Sequence, residues 1–279
     1  MNNNIIVSIC CQAFNHQAYI TKALDSFLMQ KTNFEFEILL RDDASTDGTA
    51  EICQGFAKLY PDKIRLMGYK ENQYRKGVSP FLDNAKRSKG KYIAVCEGDD
   101  YWTDPLKLQK QVDYLETNPS CILTYHAWRN DFENGKLGPI RTSSRFLTLV
   151  FRNVLDEFSR EIDKAPNVDA FLRFMLKTKG SFRFIDGINP GIRRVHEGGV
   201  MGGLSDTGKL PRRIATHEHI YNFAKNTQYE KKAHEGLLYY KLKLNLVEAK
   251  HPLSKIFRTL NFIFKYGYPK LAIRVFFNR

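Results

Sequence analysis

Several features that mark other protein classes are missing from this sequence of 279 residues. No stretch approaches the ~20 apolar residues that a membrane-spanning helix needs. The first residues, Met1 to Asn4, carry no basic cluster, so no secretion signal is predicted. The five cysteines contain no CxxC pair and are odd in number, which argues against a disulfide framework. These absences favour a reducing compartment, and we expect the cytoplasm.

Two phosphate-binding motifs are also absent. The sequence has neither a GxxxxGK[ST] loop nor a GxGxxG loop. Both motifs use glycine to bring backbone N–H groups close to phosphates. Their absence argues against nucleoside triphosphatases and against enzymes that bind dinucleotides.

Charge is distributed unevenly along the chain, which has a net charge of +13. The first 125 residues contain 15 Lys and Arg against 16 Asp and Glu, whereas the remainder contains 28 against 14. An excess of positive charge favours an anionic partner, such as nucleic acid, a membrane surface or a phosphorylated substrate. Charge alone does not choose among these three.

Apolar runs and helical patterns alternate over the first 125 residues. Strands are predicted over Ile5–Cys11, Phe34–Leu40, Ile64–Gly68 and Tyr92–Cys96, and helices over Ala18–Gln30, Thr49–Tyr60 and Phe81–Ser88, with a further helix beginning at Thr103-Asp104-Pro105. This alternation is typical of an α/β fold with a doubly wound, mostly parallel sheet flanked by helices. The pattern loosens after Tyr125, and the chain from about residue 211 onward reads as basic and helical.

Three polar clusters follow predicted strands of this sheet: Gln12 to Asn15, Arg41 to Thr49, and Glu97 to Asp100. Ligands of doubly wound sheets bind beyond the carboxyl ends of the strands. The alternative is that loops are simply polar, and for Asp47 we favour the role of a turn or helix cap.

The segment Glu97-Gly98-Asp99-Asp100 points to a metal ion. Three carboxylates within four residues repel one another unless a cation lies among them. Oxygen ligands of this kind suit Mg²⁺ or Mn²⁺, either of which can bridge a diphosphate. Gly98 would allow a close approach of the backbone to a bound molecule.

Taken together, these motifs resemble the inverting family 2 glycosyltransferases of GT-A fold, in particular those of bacterial cell-surface polysaccharide synthesis. The resemblance covers about residues 5–200. It is carried by Val7-Ser8-Ile9 with Phe14-Asn15, by Asp42-Asp43-Ala44-Ser45-Thr46-Asp47-Gly48-Thr49, by Glu97-Gly98-Asp99-Asp100-Tyr101-Trp102, and by Asp104-Pro105-Leu106-Lys107-Leu108-Gln109 with Gln111. One departure is Glu97, which occupies the first place of the family's aspartate-x-aspartate motif.

The resemblance implies a donor site for a nucleotide sugar whose base, by analogy, is uracil. Asp43, or alternatively Asp42, would accept a hydrogen bond from the base, and Phe14 would pack near its ring with Gln12 beside it. Glu97, Asp99 and Asp100 would hold the metal and the diphosphate.

The resemblance also implies a general base and a group that stabilises the departing diphosphate. Asp169 matches the position of the family's base at the start of a helix, although the residue type alone favours a plain helix cap, and Asp163 is the second candidate. The segment from Arg193 to Gly199 resembles the family's tyrosine-arginine-x-histidine segment, with Arg193 in place of tyrosine. It would supply Arg194 to the diphosphate and His196 to the metal.

We therefore expect residues 1–222 to form the catalytic domain, with a donor half over about 1–125 and an acceptor half over about 126–222. Residues 223–279 would form a basic helical extension. The end of the chain, from His251 to Arg279, has no acidic residue and mixes basic with aromatic side chains. It would either contact an anionic membrane peripherally or pack against the rest of the protein.

The predicted reaction is transfer of a sugar, with inversion, from a nucleotide-sugar donor to a hydroxyl of a glycan or lipid-linked acceptor. Two alternatives belong to other classes. A sugar-nucleotide-forming nucleotidyltransferase shares the fold type but usually begins with a glycine-rich loop, which Gln12 to Asn15 do not provide. Nucleic-acid binding is suggested by charge alone, and the carboxylates of the predicted cleft would repel phosphate, so no nucleic-acid partner is expected.

Overall fold

The computed structural model describes residues 5–132, 135–157, 160–198, 205, 207–249 and 251–277. The strands are β1 (Ile5–Ala13), β2 (Glu35–Asp42), β3 (Ile64–Gly68), β4 (Tyr92–Val95), β5 (Cys121–Tyr125), β6 (Trp128–Phe132), β7 (Val150–Arg152), β8 (Ser181–Phe184) and β9 (Gly191–Val195). The helices are α1 (Ile20–Leu28), α2 (Thr49–Leu59), α3 (Pro80–Ala85), α4 (Lys107–Thr117), α5 (Glu161–Lys164), α6 (Val168–Lys179), α7 (Leu210–Ala224), α8 (Glu230–Glu248), α9 (Pro252–Tyr266) and α10 (Pro269–Phe277).

The chain divides into two compact units. The first comprises Met1–Phe158 and Lys179–Gly199, and the second comprises Ser159–Thr178 and Val200–Arg279. The predicted boundary after residue 222 falls near the end of α7, which packs along α8 within the second unit. The assignment of catalytic and accessory roles to parts of the chain stays a prediction.

The first unit contains a sheet of seven strands in the order β3-β2-β1-β4-β7-β5-β8. All neighbours are parallel except β7, which runs antiparallel to both β4 and β5. Strand β1 lies between β2 and β4, so the chain proceeds outward in both directions from it. Such a reversal of strand order opens a crevice at the carboxyl ends. The predicted doubly wound, mostly parallel α/β fold is confirmed.

The centre of this sheet is buried on both faces. Strands β1 and β4 are buried along almost their whole length, which explains why their sequences are continuously apolar rather than alternating. Helix α1 turns Ile20, Leu24 and Phe27 toward the sheet, and all three side chains are fully buried. A rigid sheet centre of this kind fixes the positions at which the loops leave the strands.

Two differences from the sequence-based expectations concern element bounds. Helix α4 begins at Lys107, later than predicted, because Asp104 accepts a hydrogen bond from the backbone N–H of Leu106 and closes a turn first. The strands β5 to β9 were not predicted. They have three to five residues each, and β6, β8 and β9 also carry several polar side chains, so they lack a clear strand pattern.

The second unit is helical in its described part. Helices α8, α9 and α10 share a small apolar core that includes Leu238, Leu242, Phe262, Ala272 and Val275. No helix in the described residues is both long and apolar enough to cross a membrane. All five cysteines, which belong to the first unit, are free thiols in buried positions.

Candidate active site

The three polar clusters that follow β1, β2 and β4 lie together at one edge of the sheet. The backbone N–H of Asp43 donates to the carbonyl of Ala13 (2.9 Å), and that of Gly98 donates to the carbonyl of Gln12 (2.9 Å). The parallel order of β2, β1 and β4 produces this convergence, because their carboxyl ends meet at the same edge. The predicted crevice is therefore present.

The loop after β1 is fastened to the loop after β2. Asn15 adopts a left-handed conformation (φ 55°) and accepts a hydrogen bond from the backbone of Thr46 (2.8 Å). Asp47 accepts from the backbone N–H groups of Gln17 (3.1 Å) and Thr49 (3.0 Å). Asp47 thus closes a turn directly before α2, one of the roles that its residue type favours, and it also holds the two loops together.

The two predicted base-binding carboxylates have different surroundings. Asp43 is buried, and its carboxylate accepts hydrogen bonds from the guanidinium of Arg41 (2.9 Å) and from the backbone N–H groups of Gln73 (3.1 Å) and Tyr74 (3.0 Å). Asp42 accepts from the backbone and hydroxyl of Ser45. Asp43 consequently holds the loop that contains Gln73 and Tyr74, which we call the Gln73 loop.

Asp42 also borders a cavity of about 250 Å³ beyond the ends of β2 and β3. Gln54, Leu66, Tyr69 and Lys70 are among its other lining residues. Phe14 is half-buried and Gln12 is buried at the end of β1. Neither of these two residues lines this cavity.

The acidic cluster after β4 has the geometry expected of a cation site. One ligand oxygen from each of Glu97, Asp99 and Asp100 lies within 4.8 Å of the others. Glu97 is exposed, Asp99 half-buried and Asp100 buried, so the cluster reaches from the surface into the protein. Oδ1 of Asp99 is buried and has no hydrogen-bond partner among the described residues. A buried carboxylate oxygen without a donor is unfavourable unless a cation or another ligand satisfies it.

The pKa values of the two aspartates move in opposite directions. Burial, together with the negative charges of Asp99 and Glu97, raises the pKa of Asp100 well above its usual range. Burial also acts to raise the pKa of Asp99, but the hydrogen bond from His196 and the nearby His16 outweigh it and leave the pKa lowered. A divalent cation would offset the repulsion among the three carboxylates, so the donor set fits Mg²⁺ or Mn²⁺.

Strand β9 brings the predicted Arg194 and His196 to this cluster. The backbone N–H of Arg194 donates to Oδ1 of Asp100 (3.0 Å), and its guanidinium donates to the carbonyl of Asp99 (2.7 Å). Nε2 of His196 lies 3.1 Å from Oδ2 of Asp99. Residues almost one hundred positions apart in sequence thus form one arrangement. Whether each binds donor or metal, as predicted, stays a proposal.

Two further residues belong to this arrangement and were not identified from the sequence. Nε2 of His16 lies 3.9 Å from Oδ2 of Asp99, and the ring of Tyr19 lies 4.7 Å from that of His196. Tyr19 and His196 also line a cavity of about 590 Å³, together with Asn15, Gln17, Ala18, Asp47, Glu197 and Gly198. The sequence offered one clue to His16, because it directly follows Asn15, the last residue of the first polar cluster.

Gly98 is required by a close contact within the protein. A Cβ atom at this position would lie 2.8 Å from Cδ1 of Ile20 and 2.9 Å from Nδ1 of His16. A larger residue would force the Ile20 side chain and the His16 ring to shift. The close approach predicted for Gly98 is therefore made by the protein's own side chains.

The two candidate bases lie in the second unit. Asp169 is in the first turn of α6, where Oδ2 lies 3.3 Å from a guanidinium nitrogen of Arg173. Asp163 lies in α5 and is exposed. Asn167, which precedes α6, accepts a hydrogen bond from Arg212 (2.9 Å). The role of Asp169 as a base stays a prediction.

A crevice lined by carboxylates at the carboxyl ends of a doubly wound sheet is typical of enzymes that bind nucleotide-linked substrates. Comparison with known families identifies the chain more closely. The model of the family "Glycosyl transferase family 2" matches residues 8–177, which is more than half of the sequence. The chain belongs to this glycosyltransferase family.

Curated relatives match slightly less than half of the chain. An uncharacterized protein of Mycobacterium tuberculosis is 43% identical over 130 residues, which are 46% of this chain and 37% of that protein. The UDP-Glc:alpha-D-GlcNAc-diphosphoundecaprenol beta-1,3-glucosyltransferase WfaP of Escherichia coli is 35% identical over 113 residues, 40% of this chain and 42% of that protein. The matched segments thus span about two fifths of these relatives.

Solved structures resemble the whole chain in fold. S. aureus TarS 1-349 in complex with UDP-GlcNAc has a TM-score of 0.65 at 16% identity, covering 98% of this chain and 89% of that one. The mannosyltransferase PcManGT from Pyrobaculum calidifontis, in complex with GDP-Man and Mn²⁺, has a TM-score of 0.58 at 15% identity, covering 96% and 84%. At these identities the likeness shows the fold.

Proposed function

We propose that the protein transfers a sugar from a nucleotide-sugar donor, a UDP-sugar, to a hydroxyl group of a glycan or lipid-linked acceptor in cell-surface polysaccharide synthesis. The observation that carries the proposal is the cluster of Glu97, Asp99 and Asp100 with the unpartnered Oδ1 of Asp99, in a chain of glycosyltransferase family 2. A relative that uses UDP-Glc and a lipid diphosphate acceptor, by its name, supports both the donor and the acceptor class.

The donor nucleotide would lie in the crevice beside Gln12, Phe14, Asp42 and Asp43. Asp42 is the better placed of the two aspartates to accept a hydrogen bond from the base, because it borders a cavity. Asp43 would act indirectly, since its carboxylate oxygens accept hydrogen bonds from Arg41 and the Gln73 loop.

The residues that would hold a divalent metal are Glu97, Asp99 and Asp100, with His196 beside them. A bound Mn²⁺ or Mg²⁺ would supply Lewis-acid stabilisation of the diphosphate. Arg194 adds positive charge at the same place, since its guanidinium donates to the carbonyl of Asp99. Arg194 would thereby offset the negative charge that accumulates on the departing diphosphate.

Asp169 would take the proton from the acceptor hydroxyl, and the acceptor oxygen would then attack the anomeric carbon with inversion. Its present partner, Arg173, lies one turn further along α6 and would orient the carboxylate. Asp163 remains the second candidate. The family assignment supports the role of Asp169, because the matched residues 8–177 include it.

The acceptor would be met at the cytoplasmic face of the cell membrane, which the protein would contact peripherally. The lipid-linked acceptor of the E. coli relative and the basic composition of the second half of this chain support this location. Binding of nucleic acid is the alternative use of that charge, and the acidic crevice argues against it.

Calorimetry of UDP binding with Mn²⁺ and with excess chelator tests the donor site. We expect binding that depends on the metal and is lost in Asp99→Asn, with Glu116→Gln, an acidic residue at the far end of α4, as the matched control. Transfer is tested by incubating UDP-sugars with lipid-linked acceptors. Release of pyrophosphate from UTP and a sugar phosphate, in place of UDP release, would instead identify a nucleotidyltransferase.

A further inference from the structure

Helix α9 carries a row of exposed apolar side chains. Leu253, Phe257, Leu260 and Phe264 follow one another at intervals of four, three and four residues, which places them on one face of the helix. Their exposed fractions are 69%, 65%, 58% and 97%. We refer to these four residues as the α9 apolar face. Contiguous exposed apolar surface of this kind is uncommon in soluble domains and marks an interaction site.

The opposite face of α9 already holds the helix in place. Thr259 and Phe262 are buried, and Phe262 packs in the same cluster as Leu242 of α8 and Val275 of α10. The guanidinium of Arg258 donates to the backbone carbonyl of Asn245 (2.6 Å). The α9 apolar face is therefore not needed to attach the helix, and its exposure requires a separate explanation.

The charges around this face indicate what covers it. Residues 251–277 contain no acidic side chain. The basic residues of α9 and α10 are Lys255, Arg258, Lys265, Lys270 and Arg274. On α10, exposed Lys270 and Arg274 alternate with exposed Ile273 and Phe277 at helical spacing. Apolar and aromatic side chains mixed with cations suit an anionic lipid surface, whereas a second copy of this chain would present the same positive charge.

We propose that the α9 apolar face, together with the exposed basic and apolar side chains of α10, docks onto an anionic lipid bilayer. The two helices lie in the plane of the lipid headgroups. Helix α9 has 15 residues, which is short of the ~20 that span a bilayer. This inference names the surface that makes the contact, and it holds whether or not the enzyme transfers a sugar.

Sedimentation with vesicles tests the proposal, using matched pairs of exposed apolar residues. The variant Leu253→Ser/Leu260→Ser removes side chains that are 69% and 58% exposed, and the control Leu59→Ser/Ile140→Ser removes side chains that are 69% and 60% exposed in the first unit. With vesicles of equal parts phosphatidylcholine and phosphatidylglycerol, we expect the α9 variant to lose about tenfold or more in partitioning. The control should bind like the unmodified protein, and UDP binding should be unchanged in both.

Salt and lipid composition separate the electrostatic contribution to vesicle binding from the apolar contribution. Binding should weaken as ionic strength rises and should be much weaker on pure phosphatidylcholine, because the basic residues need anionic headgroups. Equal binding to both kinds of vesicle, or equal losses in the two double variants, would overturn the proposal. A wild-type protein that ignores vesicles but forms dimers, which Leu253→Ser/Leu260→Ser disrupts, would show that a second copy covers the face.

A substitution that retains apolar character gives an independent readout. In Phe264→Trp the new indole replaces a side chain that is 97% exposed, while the native Trp102 and Trp128 are buried. We expect its fluorescence to shift to the blue when anionic vesicles are added, since the indole leaves water. Leu59→Trp serves as the control and should show no shift. Absence of a shift in the folded Phe264→Trp protein would contradict insertion of this face.

Discussion

The crevice of the first unit and the C-terminal helices of the second unit are built on opposite principles. In the crevice, loops from β1, β2 and β4 are joined by hydrogen bonds between polar groups, and Asp43 and Asp47 each accept several backbone N–H groups. In α9 and α10, apolar contacts attach each helix, with a hydrogen bond from Arg258 of α9, and much of the remaining surface is apolar or basic. The first design holds polar groups in fixed positions for chemistry, and the second leaves a surface available to a partner.

Removal of the proposed base should have the largest effect on turnover. Asp169→Asn keeps the size of the side chain but cannot accept the acceptor proton, so we expect kcat to fall by about 10²–10⁴-fold with little change in donor affinity. Steady-state kinetics with a lipid-linked acceptor measures this. Asp163→Asn is the control, and a reversal of the two results would transfer the role to Asp163.

Two phenylalanines of α9 allow the buried and exposed faces of this helix to be compared within the second unit. Phe262 is 6% exposed and Phe264 is 97% exposed. Phe262→Ala should lower the free energy of unfolding of the second unit by about 3–5 kcal/mol, because it leaves a cavity in the shared helical core. Phe264→Ala should change it by less than about 0.5 kcal/mol. Chemical denaturation followed by circular dichroism gives both values, and similar losses would mean that the outer face also packs.

A buried lysine provides a pH-dependent test of the first unit. Burial lowers the pKa of Lys107 to about 7, and its Nζ lies 3.8 Å from the centre of the Trp102 ring. The unfolded chain, with the usual lysine pKa of about 10.5, binds more protons between these two pH values. The free energy of unfolding should therefore rise with pH from about 7 to 10.5. Below pH 7 the buried lysine is charged, and the full free-energy cost of burying that charge applies.

The variant Lys107→Met removes this cost. We expect the variant to have a larger free energy of unfolding than the unmodified protein, by on the order of a few kcal/mol minus the free energy of the lost ring contact. This difference should be greatest below pH 7 and should decline as the pH approaches 10.5. Lys58→Met, at an exposed position of α2, is the control and should show no such trend. Denaturation curves recorded across this pH range would contradict the assignment if both variants behaved alike.

The smallest expected effect concerns His16, which the crevice holds near Asp99. His16→Asn should weaken Mn²⁺-dependent UDP binding by about tenfold, since partners of ligating carboxylates commonly contribute that much. Calorimetry with and without Mn²⁺ measures the change. His234→Asn, in helix α8, is the control, and a loss of binding that is equal without Mn²⁺ would assign His16 to the nucleotide instead.

The sequence predicted the alternating first half of the fold well because each element there carries its own signal. Strand β1 is a continuous apolar run, and α1 has a single apolar face, so neither needs information from elsewhere in the chain. Strands β6 and β9 show the limit. They pair with each other across more than fifty residues, and their own sequences are short and polar.

Within the candidate site, likewise, some features could be predicted from local sequence and others could not. The residue types of Glu97, Asp99 and Asp100, adjacent in sequence, were sufficient to predict a cation site. Their relation to His16 depends on β1 and β4 ending at one edge of the seven-stranded sheet. Their relation to Arg194 depends on β9, which pairs with β6 in a separate sheet and passes beside the cluster. No local pattern encodes either.

Sequence alone determined the class of the fold, the acidic cluster and the basic, acid-free end of the chain, because composition and local periodicity record which surfaces are apolar or charged. Tertiary structure decided which of those surfaces remain exposed. Phe262 and Phe264 are the same residue type two positions apart, yet one lies in the core of the second unit and the other in solvent. Only the packing of α9 against its neighbouring helices distinguishes them, because burial depends on which face a helix turns toward its partners.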